Sequence, residues 1–198
     1  DRYVTDFRFL TPSFTDKLEI KLTVSGDCNG GTSASSNAMD TWTGCFAEDE
    51  ALQKVLGHEL FHRVQYSYDG SEVKWFKEGT ARAMEDLVFD NIDNWANALD
   101  AVSSSFNKQV NTYLADPNND ITSNAMRYNS ALWWKYFSEQ YGTTPTEPEL
   151  GVDALVALWE AAASSDDLAA LNTALASLSP GTTFDLAFRR FAAANWTK

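Results

Sequence analysis

The chain has 198 residues, 44% of them hydrophobic, enough for one substantial core and a single domain over 1–198. Its 15 Lys and Arg against 28 Asp and Glu leave a net charge of −13, which repels phosphate backbones and anionic lipid heads and so argues against nucleic-acid and membrane-surface partners. No apolar run approaches the roughly 20 residues of a bilayer span, so no membrane insertion is expected; Asp1-Arg2-Tyr3 does not begin a signal segment, and a mature or excised form is expected.

Val4 to Leu10 is the first strand candidate. Between Lys17 and Ser25, Leu18, Ile20, Leu22 and Val24 alternate with Glu19, Lys21 and Thr23, the period-2 pattern of a half-buried strand. Cys28 and Cys45, the only cysteines, bracket the small, polar segment NGGTSASSNAMDTWTG, read as a flexible loop. Their spacing lacks the close pairs of a zinc ribbon, so a disulfide closing that loop is expected, with two free buried thiols as the alternative. Its corollary is a secreted, periplasmic or cell-surface address.

From Glu48 onward the signals turn helical. Glu48, Asp49 and Glu50 suit the positive end of a helix, and Leu52, Val55, Leu56, Leu60 and Val64 continue it until Asp69-Gly70. A second helix begins near Trp75 and carries Glu78, Ala81, Arg82 and Glu85 along one face to about Phe89. Further helices are predicted at about 95–114, 128–141, 152–163, 166–178 and 183–195, with loops at 116–120 and 142–149. The fold class is therefore α+β, with strands and site helices over about 1–90 and a mainly helical part over about 91–198.

The stretch GHELFHRVQY, residues 57–66, holds both histidines of the chain. His58 and His62 are four residues apart, so they leave one face of a helix and can converge on one ion, with Glu59 beside it. Neutral imidazoles suit Zn²⁺, and a carboxylate next to such an ion can take a proton from water whose pKa the ion lowers to about 7. The bland alternative is a pair of polar, hydrogen-bonded helix residues. A catalytic zinc site usually has three protein ligands, and the third cannot be histidine. Gln65 and Tyr68 occupy the positions where the metzincin motif requires glycine and histidine. Glu78, in WFKEGTARAMED, is the better candidate, at the start of a helix that can pack antiparallel to the first.

These residues resemble the gluzincin metallopeptidases, especially the aminopeptidase N branch, whose third ligand lies in a W-x-x-E-G-x-A context matched by Trp75, Glu78, Gly79 and Ala81. The resemblance implies a zincin-like fold, one catalytic Zn²⁺ held by His58, His62 and Glu78, and Glu59 as general base. Glu85 matches an acidic residue two turns beyond the ligand. Arg82 is expected to pair with Glu78 or Glu85; the thermolysin pattern has a carboxylate there, so the groups that orient the two histidines are left open. The segment MRYNSALWWKYFSEQYG resembles the region carrying a gluzincin tyrosine, which makes Tyr128 the leading oxyanion donor, with Tyr136 and Tyr113 as alternatives. That segment and FDLAFRRFAAANW also resemble poorly characterised secreted bacterial metallopeptidases.

The expected activity is zinc-dependent hydrolysis of a peptide or protein substrate, held by edge pairing along the strand at 18–24 or the Gly/Ser-rich loop after it. The G-x-M-E-N element of the aminopeptidases is absent, so endopeptidase action is preferred, although Glu48 to Glu50 offer carboxylates for a cationic group. The rivals are an aminopeptidase, a zincin-derived binding domain without turnover, and a carbohydrate-binding module. Trp133, Trp134 and Trp159 lie in helical patterns that suit a core better than a sugar platform.

Overall fold

A computed structural model describes residues 2–12, 17–89, 118, 120–146 and 149–196. The helix expected at 95–114 and Tyr113 lie outside the described residues, as does most of the loop expected at 116–120.

The stretch read as a first strand is instead helix α1 (Arg2–Thr5) followed by irregular chain. Tyr3, Phe7 and Phe9 are all buried. Tyr3 and Phe9 place their rings 5.5 and 5.1 Å from that of Phe61, so the aromatic spacing serves packing on a helix rather than a pleat.

Three strands follow, β1 (Glu19–Thr23), β2 (Gly30–Thr32) and β3 (Ala38–Trp42), in the order β1-β3-β2. β1 runs parallel to β3, with Glu19 opposite Ala38, and β2 runs antiparallel to it, with Gly31 opposite Asp40. The alternating stretch is a strand, but it is not half-buried. Among the described residues Ile20 and Leu22 are 53% and 58% exposed, because alternation fixes which side chains share a face and not what covers it. β3 supplies the buried part of the sheet, with Met39 and Thr41 fully covered.

Cys28 and Cys45 form a disulfide. The segment between them is not a flexible loop, since it contains β2 and β3. Closing a 17-residue separation removes about 3 kcal/mol of loop entropy from the unfolded chain. Arg63 Nη1 donates to the carbonyls of Ser33 and Ser36, both at 2.6 Å, and so ties the β2–β3 turn to the helix below.

That helix is α2 (Asp49–Gln65), reached through a short 3-10 turn over Thr43–Ala47. Asp49 and Glu50 occupy its first turn, where they offset the partial positive charge of the free N–H groups. α3 (Lys74–Val88) returns antiparallel, as shown by late α2 meeting early α3 at His62–Glu78 and the reverse at His58–Glu85. The rest is helical: α4 (Ala131–Tyr141), α5 (Val152–Ala162), α6 (Asp167–Leu178) and α7 (Phe184–Trp196). The described chain is α+β, with seven helices and one small mixed sheet. None of its helices is long and apolar enough to cross a membrane.

Trp75 of α3 stacks on Trp134 of α4 at 4.9 Å, and Phe76 meets Trp134 edge-on at 4.8 Å. Trp75, Trp133, Trp134 and Trp159 are at most 1% exposed, so these tryptophans are core.

The turn from α4 into α5 depends on Asp153, whose carboxylate accepts the backbone N–H groups and hydroxyls of Thr143 and Thr144 at 2.7 to 3.0 Å. Partial burial pushes its pKa up, but these hydrogen bonds outweigh it and hold the carboxyl below its ordinary value. A depressed native pKa contributes stability that is complete above the unfolded value near 4 and is lost as the pH falls through the native one. Asp153→Ala is therefore expected to lower stability by about 1–2 kcal/mol near neutrality. The gap from the parent in urea-denaturation midpoint should narrow as the pH falls below the unfolded value near 4; a gap that is constant with pH contradicts this assignment.

Candidate metal centre

α2 is buried on two sides. Phe61 and Val64 face the core, while His58, Glu59 and His62, each 7–8% exposed, form a polar buried stripe towards α3. The first turns of α3 bring Glu78 opposite them. His58 Nε2 lies 3.1 Å from His62 Nε2, and Glu78 Oε2 lies 3.3 and 3.5 Å from those two nitrogens. Four-coordinate zinc with bonds of about 2.0–2.1 Å sets its ligand atoms roughly 3.3–3.4 Å apart. The three side chains therefore fit one small tetrahedral ion.

The far side of each imidazole is fixed. His58 Nδ1 donates to Glu85 Oε1 at 2.9 Å, and Arg82 Nη1 donates to the same oxygen at 3.2 Å. His62 Nδ1 donates to Gln65 Oε1 at 2.7 Å. The Gln65 amide cannot turn over, because its Nε2 donates to Lys77 O at 2.9 Å and to Thr80 Oγ1 at 3.0 Å, while Thr80 donates onward to Phe76 O. In a neutral imidazole whose Nδ1 carries the proton, Nε2 holds a lone pair. Two lone pairs and a carboxylate oxygen then converge, an arrangement that calls for a cation.

The perturbed groups carry the same electrostatics. Burial pushes His58 down, but the hydrogen bonds to Glu78 and Glu85 overturn it and raise the imidazole to about 9, so that without a metal a proton on His58 supplies the positive charge the cluster calls for, and an ion must displace it. Burial raises Glu78, yet both histidines hold its carboxyl well below the usual range. Glu85 is likewise held low against its burial, chiefly by the Arg82 cation. Glu59 is the exception: burial lifts its pKa, the histidines pull it back, and Glu78 and Glu85 raise it further. Lys54, one turn before His58, is lowered by burial and then by the Arg82 cation, with Glu85 acting the other way.

Local packing explains the W-x-x-E-G context. Trp75 O accepts Ser130 Oγ at 2.9 Å and Trp134 Nε1 at 3.0 Å, which pins the start of α3 to α4. A Cβ at Gly79 would run into both Ser130 Oγ and Trp134 Nε1, so only glycine lets α4 approach here. Glu78 is thereby held on a rigid turn.

The three candidate ligands and Glu59 line a cleft of about 640 Å³, walled on one side by β2. A Cβ at Gly30 would lie 2.5 Å from Val55 Cγ1 and 3.2 Å from Glu59 Cγ, so glycine allows β2 to lie directly over α2. Tyr128 sits in the turn before α4 rather than in the helix expected over 128–141, with its ring 6.2 Å from that of His58. Burial, and then the Glu78 charge, raise its pKa. Tyr136 packs against Trp133 and Phe191 and is no part of this cleft. Glu48 to Glu50 do not line it either; they begin α2.

Comparison with protein-family models, curated proteins and solved structures finds no match for this chain.

Sequence reasoning brought His58, Glu59, His62, Glu78, Arg82, Glu85 and Tyr128 to one place, and the cleft joins them. It missed three neighbours. Lys54 had no motif to mark it, and Tyr66, stacked on His62 at 6.3 Å, looked like an ordinary helix end. Gln65 registered only as the residue that breaks a longer motif, although an amide three residues after a histidine on one helix can reach its ring. Partners of this kind contribute about 10- to 100-fold in metal affinity. Gln65→Leu is accordingly expected to weaken binding of a divalent ion by that factor, read by competition with a chromophoric chelator, with the helical circular dichroism retained. Unchanged affinity would show that Gln65 does not set the His62 ring.

Asp69, Glu72 and Asp166 also lie close together, but two of these carboxylates are taken up by local structure. Glu72 accepts the N–H groups of Val73 and Asp167, and Asp69 accepts the backbone N–H and the hydroxyl of Ser71.

Proposed function

We propose that the chain is a zinc-dependent peptidase of gluzincin type, secreted or held at the cell surface or in the periplasm, and that it cuts within peptide chains. The observation that carries this reading is the convergence of His58 Nε2, His62 Nε2 and Glu78 Oε2 within 3.1–3.5 Å of one another, with Glu59 beside them on the floor of a cleft. Zinc bound there would supply Lewis acidity, polarising the scissile carbonyl and making water a better acid.

The residues of the chain do the rest. The Glu59 carboxylate accepts a proton from the attacking water and returns it to the departing amine; a pKa raised by burial suits both halves of that task. The Tyr128 hydroxyl, kept protonated by its raised pKa, donates to the carbonyl oxygen as negative charge develops there. Glu85 and Gln65 keep the imidazole rings from turning, and Arg82 steadies Glu85. β2 ends the sheet on the cleft side, so an extended substrate can pair with its outer edge. β1, the strand first considered for this, is the far edge.

An aminopeptidase needs carboxylates to hold a free amine. The cleft residues outside the centre include Lys54, Lys74 and Lys77, which favours internal cleavage. The Cys28–Cys45 disulfide supports an oxidising address. The test is a panel of N-acetylated and free peptides incubated with zinc-loaded protein. Cleavage of the acetylated peptides at internal bonds, abolished by a chelator and restored by zinc, is expected. Cleavage only at free N-termini would make the protein an aminopeptidase, and stoichiometric zinc without turnover would make it a binding domain.

A further inference from the structure

In a chain of net charge −13, four cations line the cleft: Lys54, Lys74, Lys77 and Arg82. Three of them are accounted for. Arg82 pairs with Glu85, Lys77 Nζ donates to Gly70 O at 2.9 Å, and Lys74 is exposed to water. Lys54 differs. It is partly buried in the cleft wall and has no ion pair or hydrogen bond among the described residues. The carboxylate that acts on it, Glu85, is already shared by Arg82 and the His58 Nδ1–H. A cation held partly out of water whose carboxylate is already shared by two other donors is under-compensated, and on the wall of a cleft it marks a place for a further anion.

Lys54 precedes His58 by four residues, about 6 Å along the helix. At roughly 3.3 Å per extended residue, that is the reach of a group one or two residues from the scissile bond. We propose that Lys54 anchors a carboxylate of the substrate, so that the cleft selects peptides carrying a carboxylate close to the bond placed at His58, His62 and Glu78. Two sources share this chemistry, an Asp or Glu side chain and the terminal carboxylate of a short peptide. The peptide as ligand rests on the peptidase reading, but the anchor itself is a binding property and can be measured without turnover.

The experiment uses full-length, zinc-loaded Glu59→Gln protein and calorimetric titration with paired peptides. One pair differs by Glu against Gln at each position flanking the cleavable bond, and the other by a free against an amidated C-terminus. One charge-assisted contact predicts about 10- to 100-fold tighter binding of the acidic member of one pair. The responding pair identifies the source. Lys54→Met should bring that ratio to within about twofold, and Lys54→Arg should keep it. Equal affinities within both pairs overturn the anchor, as does a ratio that survives in Lys54→Met. Cleavage by the parent protein is scored separately. Turnover of both members at equal rates with equal affinities leaves the peptidase and removes the anchor; a clear binding ratio without any turnover leaves the anchor and removes the peptidase.

Discussion

Glu59→Gln is expected to lower peptide cleavage by about 10²- to 10⁴-fold while the protein still binds one zinc ion. Glutamine has nearly the shape of glutamate, so the contact of residue 59 with the Gly30 strand survives, and His58, His62 and Glu78 keep their places. What disappears is the one cleft carboxylate, among the described residues, left without a structural task. Glu78 faces both histidines and Glu85 is committed to His58 and Arg82, so neither can take over as base. Zinc stoichiometry and cleavage rate measured on the same preparation check the prediction. A parent-like rate at full zinc occupancy would reduce residues 57–66 to a binding site.

Glu78→Ala is expected to act one step earlier, on the ion itself. Structural zinc sites bind with about 10–16 kcal/mol in all, so loss of one ligand among four removes roughly 3 kcal/mol, or about two orders of magnitude in affinity. The two histidines would remain at 3.1 Å with no third oxygen to close the site. Chelator competition should show His62→Ala and Glu78→Ala weakened alike, with Glu59→Gln close to the parent. If Glu78→Ala held zinc with the affinity of the parent, Glu78 would not be a ligand and the gluzincin reading would fail.

The helices were legible because their apolar periodicity and their end signals agree: α5 at Val152–Ala162 and α6 at Asp167–Leu178 lie within one residue of expectation at each end. The three candidate ligands were legible because His58 and His62 stand one turn apart on α2 and Glu78 opens the next helix, which a short turn brings back against the first. The sheet was not. β2 is three residues long and β3 five, and Gly-Gly-Thr carries no alternation to read. Its hold on α2 comes from Arg63, thirty residues away from Ser33 in sequence, and from the absence of a side chain at Gly30. Residues 4–10 failed for a related reason, since spaced aromatics suit a pleat and a helix surface equally well. The orienting role of Gln65 required knowing that Thr80 and Lys77 O would lie beside it, a fact of tertiary packing.

The most direct measurement is the coordination sphere of the zinc-loaded protein, by crystallography at the zinc absorption edge. The expected sphere is His58 Nε2 and His62 Nε2 at about 2.0–2.1 Å and a Glu78 oxygen at about 2.0–2.2 Å, with one position open to solvent. Zinc found elsewhere on the chain, or bound by the two histidines with Glu78 outside its sphere, would contradict the centre proposed for this protein.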